Sequence, residues 1–136
     1  MIRDKFQPLE SANKPAARRM LDPVELSRLP PIGCRVTWLG HASFLLQSAQ
    51  QSFLIDPVFS SHCAPLPLPG LRRLVAPPCA IEDLPKIDAI FITHSHYDHL
   101  DLKTLRKLGC STRIWVPQGH STWLAKKGFS NVAEAS

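Results

Sequence analysis

From Arg35 to Asp56 the chain runs through three short stretches of alternating or β-branched apolar residues, separated by turn residues. RVTWL (Arg35–Leu39) reads as a strand, Gly40-His41 as a turn, SFLLQS as a second strand, AQQ as a hairpin turn, and SFLID as a third strand that ends at Asp56-Pro57. Strands this close together predict an antiparallel meander. Later the period changes. In DAIFIT (Asp88–Thr93), Ile90, Phe91 and Ile92 form an unbroken apolar run, the pattern of a strand buried on both faces. DLKTLRKLG reads as a helix with Leu102, Leu105 and Leu108 on one face, Asp101 as its N-cap and Gly109 as its stop. RIWVP predicts another strand, QGHSTWLAKKG a second helix ended by Gly128, and FSNVAEA the start of a further strand. Strands followed by helices predict an α/β (α+β) fold with a mixed sheet.

Two segments break the pattern. Residues 1–31 carry Pro8, Pro15, Pro23, Pro30 and Pro31 and show no sustained period, so they read as a lead-in to a domain at 32–136. A short helix from Pro23 to Arg28, capped by Asp22, fits there. The lead-in is either a docking arm for a membrane or partner, or a strap packed along the domain, and the strap is the simpler reading. Between Pro57 and Ala80 six prolines exclude a helix or a central strand. A loop of that length either lines a site or runs over the surface.

The chain of 136 residues is 44% hydrophobic and 20% charged, enough for one packed domain. Its formal net charge is +5, but the basic residues are scattered, the tightest clusters being pairs such as Arg18-Arg19 and Lys126-Lys127. A nucleic-acid footprint is usually a patch or stripe, so no specific nucleic-acid partner is expected. No apolar stretch reaches the ~20 residues of a membrane span, and the N-terminus lacks the apolar core of a secretory signal. A cytoplasmic location with reduced, mostly buried cysteines is therefore expected; Cys34, Cys63, Cys79 and Cys110 form no C-x-x-C pair.

The chemistry concentrates in FITHSHYDHLD, Phe91 to Asp101. It lies where a buried strand gives way to a helix, a favoured place for binding sites. His94 and His96 are two apart, so in extended backbone both project to one side and can converge on one metal ion. Asp98 and His99 follow where the chain turns, and can serve a second position. Imidazole with carboxylate suits zinc, manganese or iron. The plain alternative is a His-rich surface loop with Asp98 or Asp101 merely capping a helix.

HSHYDH also matches the H-x-H-x-D-H signature of the metallo-β-lactamase superfamily. With VTWLGHASFLL, FLIDPVFS and WVPQGHSTWLAKKGF, the chain from about Arg35 onward resembles the branch containing N-acyl-phosphatidylethanolamine-hydrolysing phospholipase D and related metal-dependent hydrolases. The resemblance implies the N-terminal half of an αββα sandwich with two metals, normally Zn2+, with Mn2+ or Fe2+ as alternatives. It implies His94 and His96 as ligands of the first metal, and Asp98 and His99 as ligands of the second. Asp98 would also orient the attacking hydroxide, which makes it the catalytic residue. Asp56 in LIDP matches an aspartate that supports the metal loop, and His41 in LGHAS a histidine that lines the site; each can also be a turn residue. Tyr97 either faces substrate or packs. His62 and His120 are candidates for a further ligand, but surface positions are expected for both.

The implied substrate is a small molecule or lipid bearing a phosphodiester, ester, lactone or amide. The family's further ligands lie downstream of the motifs matched here, and after Asp101 the chain has one histidine, His120, and one acidic residue, Glu134. An N-terminal fragment with weak metal binding and weak or no activity is thus expected, along with an uncovered sheet face open to self-association. The competing readings are a non-catalytic chain that binds metal weakly or pairs with another polypeptide and, less favoured, a nuclease of the same superfamily.

Overall fold

The computed structural model describes residues 19–62, 73 and 75–135. Most of the lead-in, part of the proline-rich loop and Cys63 lie outside these residues. The described chain builds one six-stranded mixed sheet in the order β1-β2-β3-β4-β5-β6. β1 (Cys34–Gly40), β2 (Ser43–Ser48) and β3 (Ser52–Ile55) form the antiparallel meander that the alternation predicts. β4 (Ala89–Phe91), β5 (Arg113–Pro117) and β6 (Val132–Ala135) continue the sheet in parallel from β3. The parallel strands are joined through a 3-10 turn (Ile81–Asp83) and two helices, α2 (Leu102–Leu108) and α3 (Ser121–Lys126).

One face of the sheet carries the core. Leu45, Leu54, Ile90 and Ile114 sit side by side across four strands, and Leu105 of α2 and Leu124 of α3 complete the cluster, all fully buried. A first helix, α1 (Pro23–Ser27), starts with the Val24 amide donating to Asp22 at 2.8 Å and adds Leu26 to that core. Gln47 is buried on the core side of β2, and its partners satisfy its amide. Its amide donates to the Leu26 carbonyl at 2.8 Å and its oxygen accepts from the Arg35 guanidinium at 2.7 Å, so α1 is tied to the meander.

The other face is apolar and open. In register across the sheet lie Trp38, Phe44, Ile55, Phe91 and Trp115, and beside them Val36, Leu46 and Phe53. Trp38 and Val36 are more than half exposed, and Phe91 is 38% exposed. The expectation of a β4 buried on both faces is therefore corrected: Ile90 and Ile92 point into the core, and Phe91 between them points to the open face. A continuous apolar run does not distinguish a strand covered on both sides from one covered on one side only. The cysteines are corrected too, since Cys34 and Cys110 are exposed and Cys79 is the buried one.

The meander puts the β1–β2 turn, the end of β3 and the end of β4 at one edge of the sheet. β3 and β4 run parallel, so both end there, and antiparallel pairing brings Gly40 next to Ser43 at the same edge. The chain then enters α2 through Asp101. One Asp101 oxygen accepts from the amides of Lys103 and Thr104; the other accepts from the Ser60 amide at 3.0 Å and the Thr104 hydroxyl at 2.6 Å. Burial opposes its ionisation, but the bonds from Thr104 and Ser60 outweigh burial and hold its carboxyl below the usual range. Asp101 is thus a helix cap that also pins the proline-rich loop. Asp101→Ala is expected to lower unfolding free energy by about 2–3 kcal/mol, a cap plus an unsatisfied buried amide, as measured by urea denaturation.

Glu134, the lone acidic residue after Asp101, has a structural use. Its carboxylate accepts the Ser121 amide at 2.9 Å, capping α3 from the neighbouring strand, and bonds from Ser121 and Gly119 pull its pKa down to about 2.

Candidate metal centre

Asp56 organises this edge. It ends β3 in a left-handed backbone conformation, φ 42°, which Asp tolerates better than most residues and which turns its side chain under the β4 loop. It is almost fully buried, at 2% exposure. One carboxylate oxygen accepts the Thr93 amide at 2.7 Å; the other accepts the Thr93 hydroxyl at 2.6 Å and His99 Nδ1 at 2.8 Å. With Nδ1–H held by Asp56, the His99 lone pair lies on Nε2, facing the site. His94 is set in a similar way. Its Nδ1 lies 3.0 Å from the Thr93 hydroxyl, which already donates to Asp56 and so accepts from His94, leaving Nε2 open.

The motif side chains lie close together at this edge. The rings of His94 and His96 have centroids 4.7 Å apart, and those of His94 and His99 3.8 Å. Among the described residues, two trios offer ligand atoms that all lie within 4.8 Å of one another: His94, His96 and Asp98, and His41, Asp98 and His99. Asp98 belongs to both. Its Oδ2 is 3.0 Å from His41 Nε2 and 3.6 Å from His99 Nε2. Burial opposes its ionisation, but the bond with His41 and the nearby His99 ring keep its carboxyl below the usual range.

His41 occupies the β1–β2 turn at φ 49°, and its carbonyl accepts the Trp38 indole N–H at 2.7 Å, which fixes the turn. Sequence reasoning placed it as a lining residue; here it touches Asp98 directly. Thr93 was missed. Its signal was faint, a small hydroxyl residue directly before the first histidine, and only the fold reveals that it links His94 to Asp56. His62 and His120 join neither trio. Both are half-buried rather than fully exposed, His62 beside Ser61 and His120 with Nδ1 3.2 Å from the Gln118 carbonyl.

The donor set tests well against a metal. It is made of imidazole nitrogens and carboxylate oxygens, the oriented histidines turn Nε2 toward the cluster, and each trio can supply three ligand atoms. That set fits zinc, manganese or iron.

Comparison with known proteins agrees. Residues 51–136 match the family model described as Beta-lactamase superfamily domain. The chain is 35% identical over 100 residues to N-acyl-phosphatidylethanolamine-hydrolyzing phospholipase D 1 of Caenorhabditis elegans, covering 71% of this chain and 28% of that protein. It is 34% identical over 104 residues to a metal-dependent hydrolase of Koribacter versatilis, covering 75% of this chain and 39% of the relative. Among solved structures, the isothiocyanate hydrolase from Delia radicum gut bacteria superposes with a TM-score of 0.64 at 30% identity, over 74% of this chain and 41% of that one. The chain thus spans well under half the length of these relatives.

Proposed function

Because this chain belongs to the Beta-lactamase superfamily, whose domain model matches residues 51–136, we propose that it carries the metal-binding edge of a metal-dependent hydrolase. The observation that supports this best is Asp98, which belongs to both trios and whose Oδ2 lies 3.0 Å from His41 and 3.6 Å from His99. His94 and His96 would hold a first metal, Asp98 and His99 a second, with Asp98 in reach of both positions. Zinc is the expected ion, with manganese or iron as alternatives, and bound ions supply Lewis acidity that makes a water nucleophilic near neutral pH. Asp98 is the catalytic residue, a carboxylate placed to orient the attacking water and take up its proton. His41 holds that carboxylate at 3.0 Å, Asp56 fixes the His99 ring, and Thr93 the His94 ring.

The reaction is hydrolysis at phosphorus or at an acyl carbon: a phosphodiester of phospholipase-D-like type, or an ester, lactone or amide, on a small molecule or lipid in the cytoplasm. The test is elemental analysis of monodisperse protein, followed by assays with bis(p-nitrophenyl) phosphate and p-nitrophenyl acetate. Metal that binds weakly, with slow hydrolysis of either ester that depends on added metal, is the expected result. Protein that folds, retains no metal and hydrolyses neither ester overturns the reading and leaves a non-catalytic chain. Strong, salt-sensitive RNA binding with RNA cleavage would instead favour a nuclease.

The open sheet face favours self-association as part of the same proposal. Val36, Trp38 and Phe91 are exposed and their row neighbours partly so, a contiguous apolar patch rather than the scattered single residues normal for a surface. Val36 lies in that face and is 64% exposed. In sedimentation velocity the wild-type chain is expected to populate dimers or larger species, and Val36→Lys to shift it toward monomer with little change in folding stability.

A further inference from the structure

On the helix side of the metal loop is a cavity of about 700 Å3 that the proposed chemistry does not use. It lies within the range of small-molecule sites, about 300–1,000 Å3. Ser95 and Tyr97 line it, while the side chains that alternate with them, His94, His96 and Asp98, do not. The loop is therefore a shared wall with its candidate ligands turned to the other side. Much of the remaining wall is basic or apolar, with Lys103 and Arg106 from α2, Trp123 from α3 and Lys127 just after it, and Leu100 and Leu102; His62 and His120 also line it. Among the described residues, none of Lys103, Arg106 and Lys127 forms an ion pair. The carboxylate that lines the cavity, Asp101, is committed to the amides and hydroxyl it accepts, and Glu134 nearby is turned to the Ser121 amide. Trp123 is 43% exposed with the Lys127 ammonium 5.7 Å from its ring centre, so an apolar plate and a cation stand together at one wall.

We propose that this cavity is a binding site for a phosphate-headed amphiphile: the head on Lys103, Arg106 and Lys127, the apolar body against Trp123, Tyr97 and Leu102. Three cations that form no ion pair among the described residues favour an anion, and charge-assisted hydrogen bonds to it are the strong kind. An aromatic and aliphatic wall adds nothing for inorganic phosphate but much for a ligand with a ring or acyl chain. The site is independent of the metal ligands and does not rest on hydrolysis.

The test uses 1-naphthylphosphonate, which has no bond for a hydrolase to cleave, with 1-naphthalenemethanol and inorganic phosphate as partial ligands, in calorimetric titrations of the full chain. The phosphonate is expected to bind more tightly than either partial ligand. The double variant Lys103→Gln/Arg106→Gln, both positions exposed, is expected to weaken it about tenfold or more. Trp123→Ala is expected to weaken the phosphonate and leave inorganic phosphate unchanged. His96→Ala is expected to bind as wild type. The proposal is overturned by a double variant that melts as wild type and still binds with wild-type affinity, or by a His96→Ala protein that loses binding, which would place the anion on the metal loop. Equal affinity for the neutral alcohol also overturns it. Vesicles of phosphatidylcholine with and without phosphatidic acid separate the sources. Retention on acidic vesicles that the double variant loses assigns a lipid headgroup, and phosphonate binding without vesicle retention assigns a soluble phosphate compound.

Discussion

His96→Ala is expected to strip the protein of metal and of hydrolysis while leaving its fold intact. The two halves of this result come from different features of one residue. His96 is exposed, and its backbone carbonyl, which accepts the amides of His99 and Leu100, survives the substitution. No apolar packing is lost, so the change in unfolding free energy should stay within about 0.5 kcal/mol, as for other surface substitutions. Its imidazole, however, is one of three groups in the His94, His96 and Asp98 trio. Removing even a residue that only orients a ligand typically costs about 10–100-fold in metal affinity or activity, so losing a ligand itself should exceed about a hundredfold. Elemental analysis, a denaturation curve and a phosphodiester assay on one preparation decide the matter. A variant that keeps its metal and activity would show that His96 merely neighbours the site. A variant that unfolds would show that the exposed ring has a structural role its surroundings do not reveal.

The sequence made this residue easy to pick out because the information is local. His94 and His96 project together by backbone geometry alone, and Asp101 announces the helix that follows. The meander was equally legible, since its strands alternate and its turns are short. What stayed hidden depends on distant pairs. Asp56 is 43 positions from His99, yet they share a hydrogen bond, and only the parallel pairing of β3 with β4 brings them together. His41 and Asp98 are 57 positions apart and meet for the same kind of reason. Thr93 has no distinctive type, and its role exists only once Asp56 is beneath it. The wrong expectation for Phe91 has the matching cause. Whether a strand face is covered depends on what packs over it, and an apolar run carries no record of that.

Asp56 allows the sharper experiment, because two substitutions separate support of the fold from support of the metal. Asp56→Ala leaves the Thr93 amide, the Thr93 hydroxyl and His99 Nδ1 without their acceptor at a nearly closed position. It also puts alanine at a left-handed φ of 42°. Unsatisfied buried groups cost about 1–3 kcal/mol each and the backbone adds about 1, so a loss of about 3–5 kcal/mol is expected, with some of the protein unfolded. Asp56→Asn is the informative partner. Asn accepts the same backbone conformation and nearly the same shape, and its one oxygen can still receive the Thr93 amide. Its NH2 group, however, would face His99 Nδ1 as a donor. His99 then has to accept at Nδ1, its proton moves to Nε2, and the nitrogen that points into the site is no longer a ligand. The expected result is a folded protein, destabilised by only about 1 kcal/mol, with metal affinity reduced about 10–100-fold. Titration with zinc and a denaturation curve provide the two readings. If Asn binds metal as well as Asp does, the Asp56–His99 bond merely braces the loop, and the orientation of His99 must come from the rings stacked around it.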